Sequence, residues 1–250
     1  MSPTVAPGPV TGRIHSWDLS TGVDGPGTRF VLFTSGCPLR CLYCANPDTW
    51  HMRDGRGATV DEVMAEIDKY RDFLATAGGG VTLTGGEPLL QPAFTAAVLR
   101  RCKEAVLHTA LDTSGFLGAR ASDALLADTD LVLLDIKSFD VPTYRKLTGG
   151  ALAPTLNFAT RLDRLGKCVW IRYVLVPGWT DDEEAVDGLA GFLSGLPCVE
   201  RVDILPFHKL GAAKYDALGI PFPLRDAPVP DRTLVDRVRG QFRERGLMAH

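Results

Sequence analysis

Gly78-Gly-Gly-Val-Thr-Leu-Thr-Gly-Gly-Glu-Pro88 passes almost directly into the stretch Pro92–Lys103, and that join decides the fold. Val81–Thr84 is a short apolar run of the kind that forms a strand covered on both faces. Pro92–Lys103 has helical spacing. The same order recurs along the chain. Strands are predicted over Phe30–Thr34, Leu107–Asp112, Leu131–Ile136, Val169–Val176 and Arg201–Phe207. Between them, Thr59-Val-Asp-Glu62 and Thr180-Asp-Asp-Glu183 read as capping boxes opening amphipathic helices. Weaker helical patterns fit Ser122–Ala127, Val141–Leu147 and Thr155–Leu165, and a last helix runs from Asp231 to Arg245. The Pro-rich linker from Gly219 to Pro230 is expected to wrap the surface. Alternating strands and helices pair in parallel through right-handed crossovers. Six such units fit an open doubly wound α/β sheet or an incomplete (β/α)6 barrel, and periodicity does not separate the two.

The chain has 250 residues, 45% of them hydrophobic and 23% charged. This excludes a disordered tail or a coiled coil. A net charge of -3 argues against a nucleic-acid partner. No apolar run approaches the roughly 18 residues of a membrane span. The first twelve residues, rich in Pro and Gly, read as a flexible extension ahead of a single domain spanning 13–250. They lack a basic segment followed by an apolar one, so the expected compartment is the reducing cytoplasm. There, clustered thiols usually mean metal or catalysis. Of six cysteines, Cys37, Cys41 and Cys44 crowd into eight residues. Cys102, Cys168 and Cys198 are dispersed and read as small buried apolar residues.

Unusual residues fall at strand ends. Cys37 follows the first predicted strand, Gly85-Gly86-Glu87-Pro88 the second, Asp112-Thr113-Ser114-Gly115 the third, Asp135-Ile136-Lys137 the fourth and Pro206-Phe207-His208 the last. In parallel α/β folds these carboxyl ends share one rim, and that rim carries the site. Three thiolates on one loop fall short of the four ligands of a structural zinc or a simple ferredoxin cluster. They suffice for three irons of a 4Fe–4S cube whose fourth iron stays open. Zinc held by three cysteines and one histidine, or a non-catalytic metal module, are the alternatives.

The C-x3-C-x2-C run with Gly-Gly-Glu-Pro after the next strand resembles the radical S-adenosylmethionine superfamily. Gly12–Ser16, Val23-Asp-Gly-Pro-Gly-Thr-Arg29, Asn46–Trp50, Gly78–Glu87 and Trp170–Trp179 narrow the resemblance to its glycyl-radical-enzyme activases, over residues 12–248. The resemblance implies the incomplete (β/α)6 barrel. It implies reductive cleavage of S-adenosyl-L-methionine at a 4Fe–4S cluster and hydrogen abstraction by the resulting 5′-deoxyadenosyl radical from a glycine of a partner enzyme. No cysteine lies between Cys44 and Cys102, so the extra clusters of some activases are absent, which favours pyruvate formate-lyase as that partner, with another glycyl-radical enzyme as the alternative. Flavodoxin or ferredoxin is implied as electron donor, and a monomer is expected.

By the same resemblance Cys37, Cys41 and Cys44 would hold the cluster. Tyr43 and Ala45 would meet the adenine, and Gly85 and Gly86 the methionine amino group. Glu87 is expected to contact the cofactor or to orient that motif. Asp135, Ile136 and Lys137 would receive the amino acid end, Lys137 its carboxylate. His208 and Arg172 are further cofactor candidates. Asp112, Thr113 and Asp135 resemble a monovalent-cation site. Asp24 would lie near the incoming glycine loop.

Overall fold

The computed structural model describes residues 9–250. Eight strands form one sheet, β1 Thr11–Thr21, β2 Thr28–Thr34, β3 Arg56–Thr59, β4 Gly80–Gly85, β5 His108–Thr113, β6 Leu131–Asp135, β7 Cys168–Leu175 and β8 Val199–Pro206. Their spatial order is β3-β1-β2-β4-β5-β6-β7-β8. The helices are α1 Val60–Asp68, α2 Arg71–Thr76, α3 Pro92–Glu104, α4 Asp123–Ala127, α5 Val141–Thr148, α6 Ala153–Arg164, α7 Glu183–Ser194, α8 Ala212–Leu218 and α9 Arg232–Glu244.

All six predicted strands are present and pair in parallel, β2 and β4 through β8. The sequence reading missed β1 and β3, which join antiparallel at the β2 side. β1 is mostly half-exposed and carries Ser, Asp and His, so it lacks the apolar run that marks the others. It begins at Thr11, so the last two residues of the anticipated extension already pair with β3, while residues 1–8 lie outside the described ones. α1 opens with the full capping box, Thr59 against Glu62. The second box does not form. Asp182 caps α7, and Thr180 instead accepts from Val176 N and donates to Val174 O. Helix α8 and the break between α1 and α2 were also unanticipated.

The sheet curls. Gly211, just past β8, stands where an added Cβ would lie 3.1 Å from Ala45 Cα, at the end of the cysteine loop that follows β2. Arg172 on β7 reaches Asp24 ahead of β2. The two sides of an open sheet meet in this way only when it bends into an incomplete barrel. Along β7, Val169, Ile171, Tyr173 and Leu175 point outward into the helix layer and are fully buried. Cys168, Trp170, Arg172 and Val174 alternate with them and face the lumen, half-buried. The edge strand β8 is covered by the last residues, Val202 N donating to Met248 O and His250 N to Val202 O. Tyr43, Phe207, Tyr215, Phe222 and Leu224 form a second apolar cluster over the rim, so part of the Pro-rich linker is buried. No helix among the described residues is long and apolar enough to cross a membrane.

Candidate active site

The cysteine loop is fixed from both flanks. Gly36 N and Cys37 N donate to Thr49 O and Trp50 O at 2.7 and 3.0 Å. Arg40 N and Leu42 N donate to Thr148 O and Leu147 O, the end of α5, at 2.8 and 2.9 Å. Leu39 and Tyr43 anchor the loop in the interior. Between them the three thiols turn to a cavity holding about 1050 Å³ of space open to solvent.

That cavity gathers most of the rim residues anticipated from the sequence. Cys37, Cys41, Tyr43, Cys44, Ala45, Gly85, Gly86, Asp112, Thr113, Asp135, Lys137, Arg172 and His208 all line it. Three expected residues do not. Glu87 is buried beneath the rim, its carboxylate accepting from Thr113 Oγ1 at 2.7 Å, Leu89 N at 3.1 Å, and Ser114 N and Oγ at 3.0 and 2.5 Å. It ties the end of β4 to the end of β5. Burial still pushes its carboxyl above the ordinary value. Ile136 belongs to the main core. Asp24 lies deeper, meeting the site only through Arg172 Nη1 at 3.6 Å.

Gly85 and Gly86 bring the end of β4 against the cysteine loop. Gly85 has φ +110°, and a Cβ there would sit 2.4 Å from Thr34 N; one on Gly86 would sit 2.3 Å from Gly36 O. The glycines are needed for this approach. Gly86 N and Glu87 N complete it by donating to Thr34 O and Gly36 O, both at 2.8 Å.

Charges run down the lumen wall. Lys137 Nζ pairs with Asp135 Oδ2 at 2.9 Å and stands 5.7 Å from the Tyr43 ring. Arg172 Nη1 meets Asp112 Oδ2 at 3.2 Å, and Thr84 Oγ1 donates to that oxygen at 2.7 Å. Burial raises Asp112 to about 6, against the pull of Arg172. Burial alone would lower Lys137 and Arg172, but Asp135 outweighs it for Lys137, and Asp112, Asp135 and Asp24 for Arg172; both rise above their ordinary values. Thr113 Oγ1 donates its hydrogen bond to Glu87, which leaves its oxygen lone pairs facing the cavity.

Sequence reasoning missed Trp50, Thr84, Val174 and Leu205 as lining residues. Thr84 and Val174 carried a usable signal, standing two residues from Gly86 and Arg172 on one strand face. It also missed Arg29, buried completely, whose Nε donates to Thr82 Oγ1 at 3.0 Å while Thr82 donates to Asp24 O at 2.7 Å. This chain of contacts fixes the loop that carries Asp24.

The cavity fits an iron–sulfur centre with an amino acid nucleoside beside it. Burial raises the thiols of Cys37 and Cys41 to about 12 and Cys44 upward, so unligated they are protonated and inert, while a metal would take them as thiolates. Each thiolate of a cube binds its own iron, so the ligands need not converge; among the described residues no three His, Cys, Asp or Glu side chains do. Two buried polar atoms of lining residues, Tyr43 Oη and Asp112 Oδ1, have no partner. A polar ligand would satisfy such atoms.

Known proteins agree with this architecture. The family description "Radical SAM superfamily" matches residues 31–189. A pyruvate formate-lyase 1-activating enzyme of Escherichia coli is 42% identical over 239 residues, 95% of this chain and 97% of that one. A pyruvate formate-lyase-activating enzyme of Staphylococcus aureus is 45% identical over 227 residues, 88% and 90% of the two chains. Among solved structures, a domain of a pyruvate-formate lyase-activating enzyme from Bacteroides vulgatus superposes with a TM-score of 0.59 at 27% identity, covering 69% of this chain and 98% of that one. Streptococcus suis SuiB bound to its precursor peptide SuiA shares the fold, with a TM-score of 0.66 at 18% identity over 88% of this chain and 48% of SuiB. The chain belongs to the radical SAM superfamily and, within it, to the pyruvate formate-lyase-activating enzymes. A 4Fe–4S cluster and S-adenosylmethionine are the cofactors of that superfamily.

Proposed function

We propose that this chain activates pyruvate formate-lyase in the cytoplasm by generating a radical on a glycine of that enzyme. The single observation that carries the reading is the convergence of Cys37, Cys41 and Cys44 with Lys137, Asp135 and Arg172 on one open cavity. Bound there, the cluster and S-adenosylmethionine supply one-electron cleavage of a sulfonium C–S bond and hydrogen abstraction from carbon.

The protein's own part is placement. Cys37, Cys41 and Cys44 would hold the cluster through three of its irons, leaving one iron without a protein ligand. Lys137, kept protonated by Asp135, takes the carboxylate of the methionine moiety, and the rim at Gly85 and Gly86 takes its amino group. Tyr43 and Ala45 line the adenine side, and His208, two residues past β8, lines the same cavity. Asp112, Thr113 and Asp135 supply oxygens beside the carboxylate for a monovalent cation, Thr113 through its oxygen lone pair while its proton stays on the Glu87 hydrogen bond. Arg172 and Asp24 lie deeper in the lumen, where they orient the incoming glycine loop.

The test is anaerobic incubation of the reconstituted chain with reductant, S-adenosylmethionine and pyruvate formate-lyase, watched by electron paramagnetic resonance for the glycyl-radical doublet. The doublet is expected. A chain with intact cluster that consumes S-adenosylmethionine yet never radicalises this enzyme acts on another protein.

A further inference from the structure

Arg29 is fully buried, and among the described residues it forms no ion pair. Every hydrogen bond it donates goes to an uncharged group. Nε reaches Thr82 Oγ1 at 3.0 Å, Nη2 reaches Val81 O at 2.6 Å and His108 O at 3.4 Å, and Nη1 meets His108 Nδ1 at 2.9 Å. Burial of a cation among dipoles alone is unfavourable, and it lowers Arg29 to about 10 against the pull of Asp130 and Asp24.

Glycines open the slot that holds it. Arg29, Gly80 and His108 are direct partners across β2, β4 and β5, so the arginine side chain crosses Gly80 to reach His108. A Cβ on Gly80 would lie 2.9 Å from Arg29 Nη1, and one on Gly25, next to Asp24, would lie 3.3 Å from Arg29 Nε. Thr82 and Thr84 share the lumen face of β4. Thr84 meets Asp112 at the rim, while Thr82, one step lower, accepts from Arg29 and donates to Asp24 O at 2.7 Å. Arg29 is thus the floor of the lumen beneath Asp24.

The seat of that floor has a fixed protonation state. A guanidinium only donates, so His108 Nδ1 must accept, and the imidazole is neutral with its proton on Nε2. The charged groups that face His108 are Arg29, Asp130 and Lys103. Burial, Arg29 and Lys103 lower its pKa; Asp130, itself bound by Lys103 Nζ at 2.7 Å, opposes them.

We propose that Arg29, seated on neutral His108, is a positioning residue for the protein substrate. Through Thr82 it holds the Asp24 loop at the height where Asp24 and Arg172, 3.6 Å apart, meet the incoming glycine loop. The inference rests on the function proposed above and deepens the part given there to Asp24. It separates substrate placement from cofactor binding, because no hydrogen-bond partner of Arg29 lines the cavity.

The test spares Arg29 itself, whose loss would strand several buried acceptors at once. Thr82→Val keeps the volume of the strand residue and removes both of its links; Thr82→Ser keeps the hydroxyl. His108→Asn retains an acceptor near Nδ1 that does not titrate. Hydrogen–deuterium exchange of residues 22–27, a loop closed by Gly22 N donating to Gly27 O at 3.3 Å, is read on the cluster-free chain. On the reconstituted chain, the shift of the reduced cluster's electron paramagnetic resonance spectrum on adding S-adenosylmethionine is compared with the KM for pyruvate formate-lyase. Thr82→Val should speed exchange of the loop and raise that KM, each by about two- to tenfold, and leave the spectral shift unchanged. Thr82→Ser should restore both. As pH falls from about 7 to about 5.5, His108 takes a proton and ceases to accept, so the KM should rise more steeply in the unaltered chain than in His108→Asn. Asp112, which titrates at about 6, is common to both chains. Unchanged exchange or an unchanged KM in Thr82→Val would overturn the proposal. So would a lost spectral shift, which would make Thr82 general scaffold. Identical pH profiles would overturn the part given to His108. If the unaltered chain shows the spectral shift yet forms no radical on pyruvate formate-lyase, the proposed function fails, while loop exchange still decides whether the Arg29–Thr82 link holds Asp24.

Discussion

The two faces of β7 differ by one residue in register and by everything in chemistry. The outer face, Val169, Ile171, Tyr173 and Leu175, is apolar apart from one phenol and closed by helices. The inner face places Arg172 between Asp112 and Asp24 in a lumen open to the cavity. The outer face contributes stability through area removed from water. The inner face loses stability to hold charges in place, because buried ions are paid for in desolvation. A strand period of two lets one segment do both.

The sharpest break of this contrast comes at the rim. Cys41→Ala removes one of three cluster ligands, so iron content should collapse and the glycyl radical should be undetectable, while the outer-face core is untouched. Next comes Arg172→Met, tested on the cluster-free protein by urea unfolding. It strands two buried carboxylates, at a cost of roughly 3–5 kcal/mol at pH 8. Asp112 already has a raised pKa, about 6, and losing Arg172 raises it further. Protonation then relieves the folded state, so the deficit should shrink as pH falls from 8 to 5. A deficit independent of pH would mean that packing, not charge, was lost.

On the other face, Ile171→Val deletes one buried methylene and should cost roughly 0.5–1.5 kcal/mol with radical yield per folded molecule unchanged. The smallest effect lies off both faces. Val106 is 92% exposed and holds φ +59° in the turn between α3 and β5. Val106→Gly relieves left-handed strain but frees the unfolded chain, for a net gain of about 0.5 kcal/mol in thermal or urea unfolding and no change in activity.

The legible parts of this molecule are those written locally. Strands β2 and β4 through β8 announce themselves as apolar runs, and the cysteine spacing needs only eight residues. β1 stayed hidden because it is half-exposed and polar, and the failed cap at Thr180 because a hydroxyl chose strand carbonyls and amides over a helix end. The direction of Glu87 could not be read, since the Thr113 and Ser114 groups that capture it lie on another strand. The ladder from Arg29 through Thr82 to Asp24 joins residues far apart in sequence, and no local pattern encodes it.

The central claim is a three-thiol cluster whose fourth iron faces the cavity. Its most direct measurement is the electron paramagnetic resonance spectrum of the reduced, reconstituted chain before and after adding S-adenosylmethionine. The account predicts about four irons and four sulfides per chain and a spectrum that shifts when the nucleoside binds. A spectrum indifferent to S-adenosylmethionine, or a chain that retains zinc and no sulfide, would contradict it.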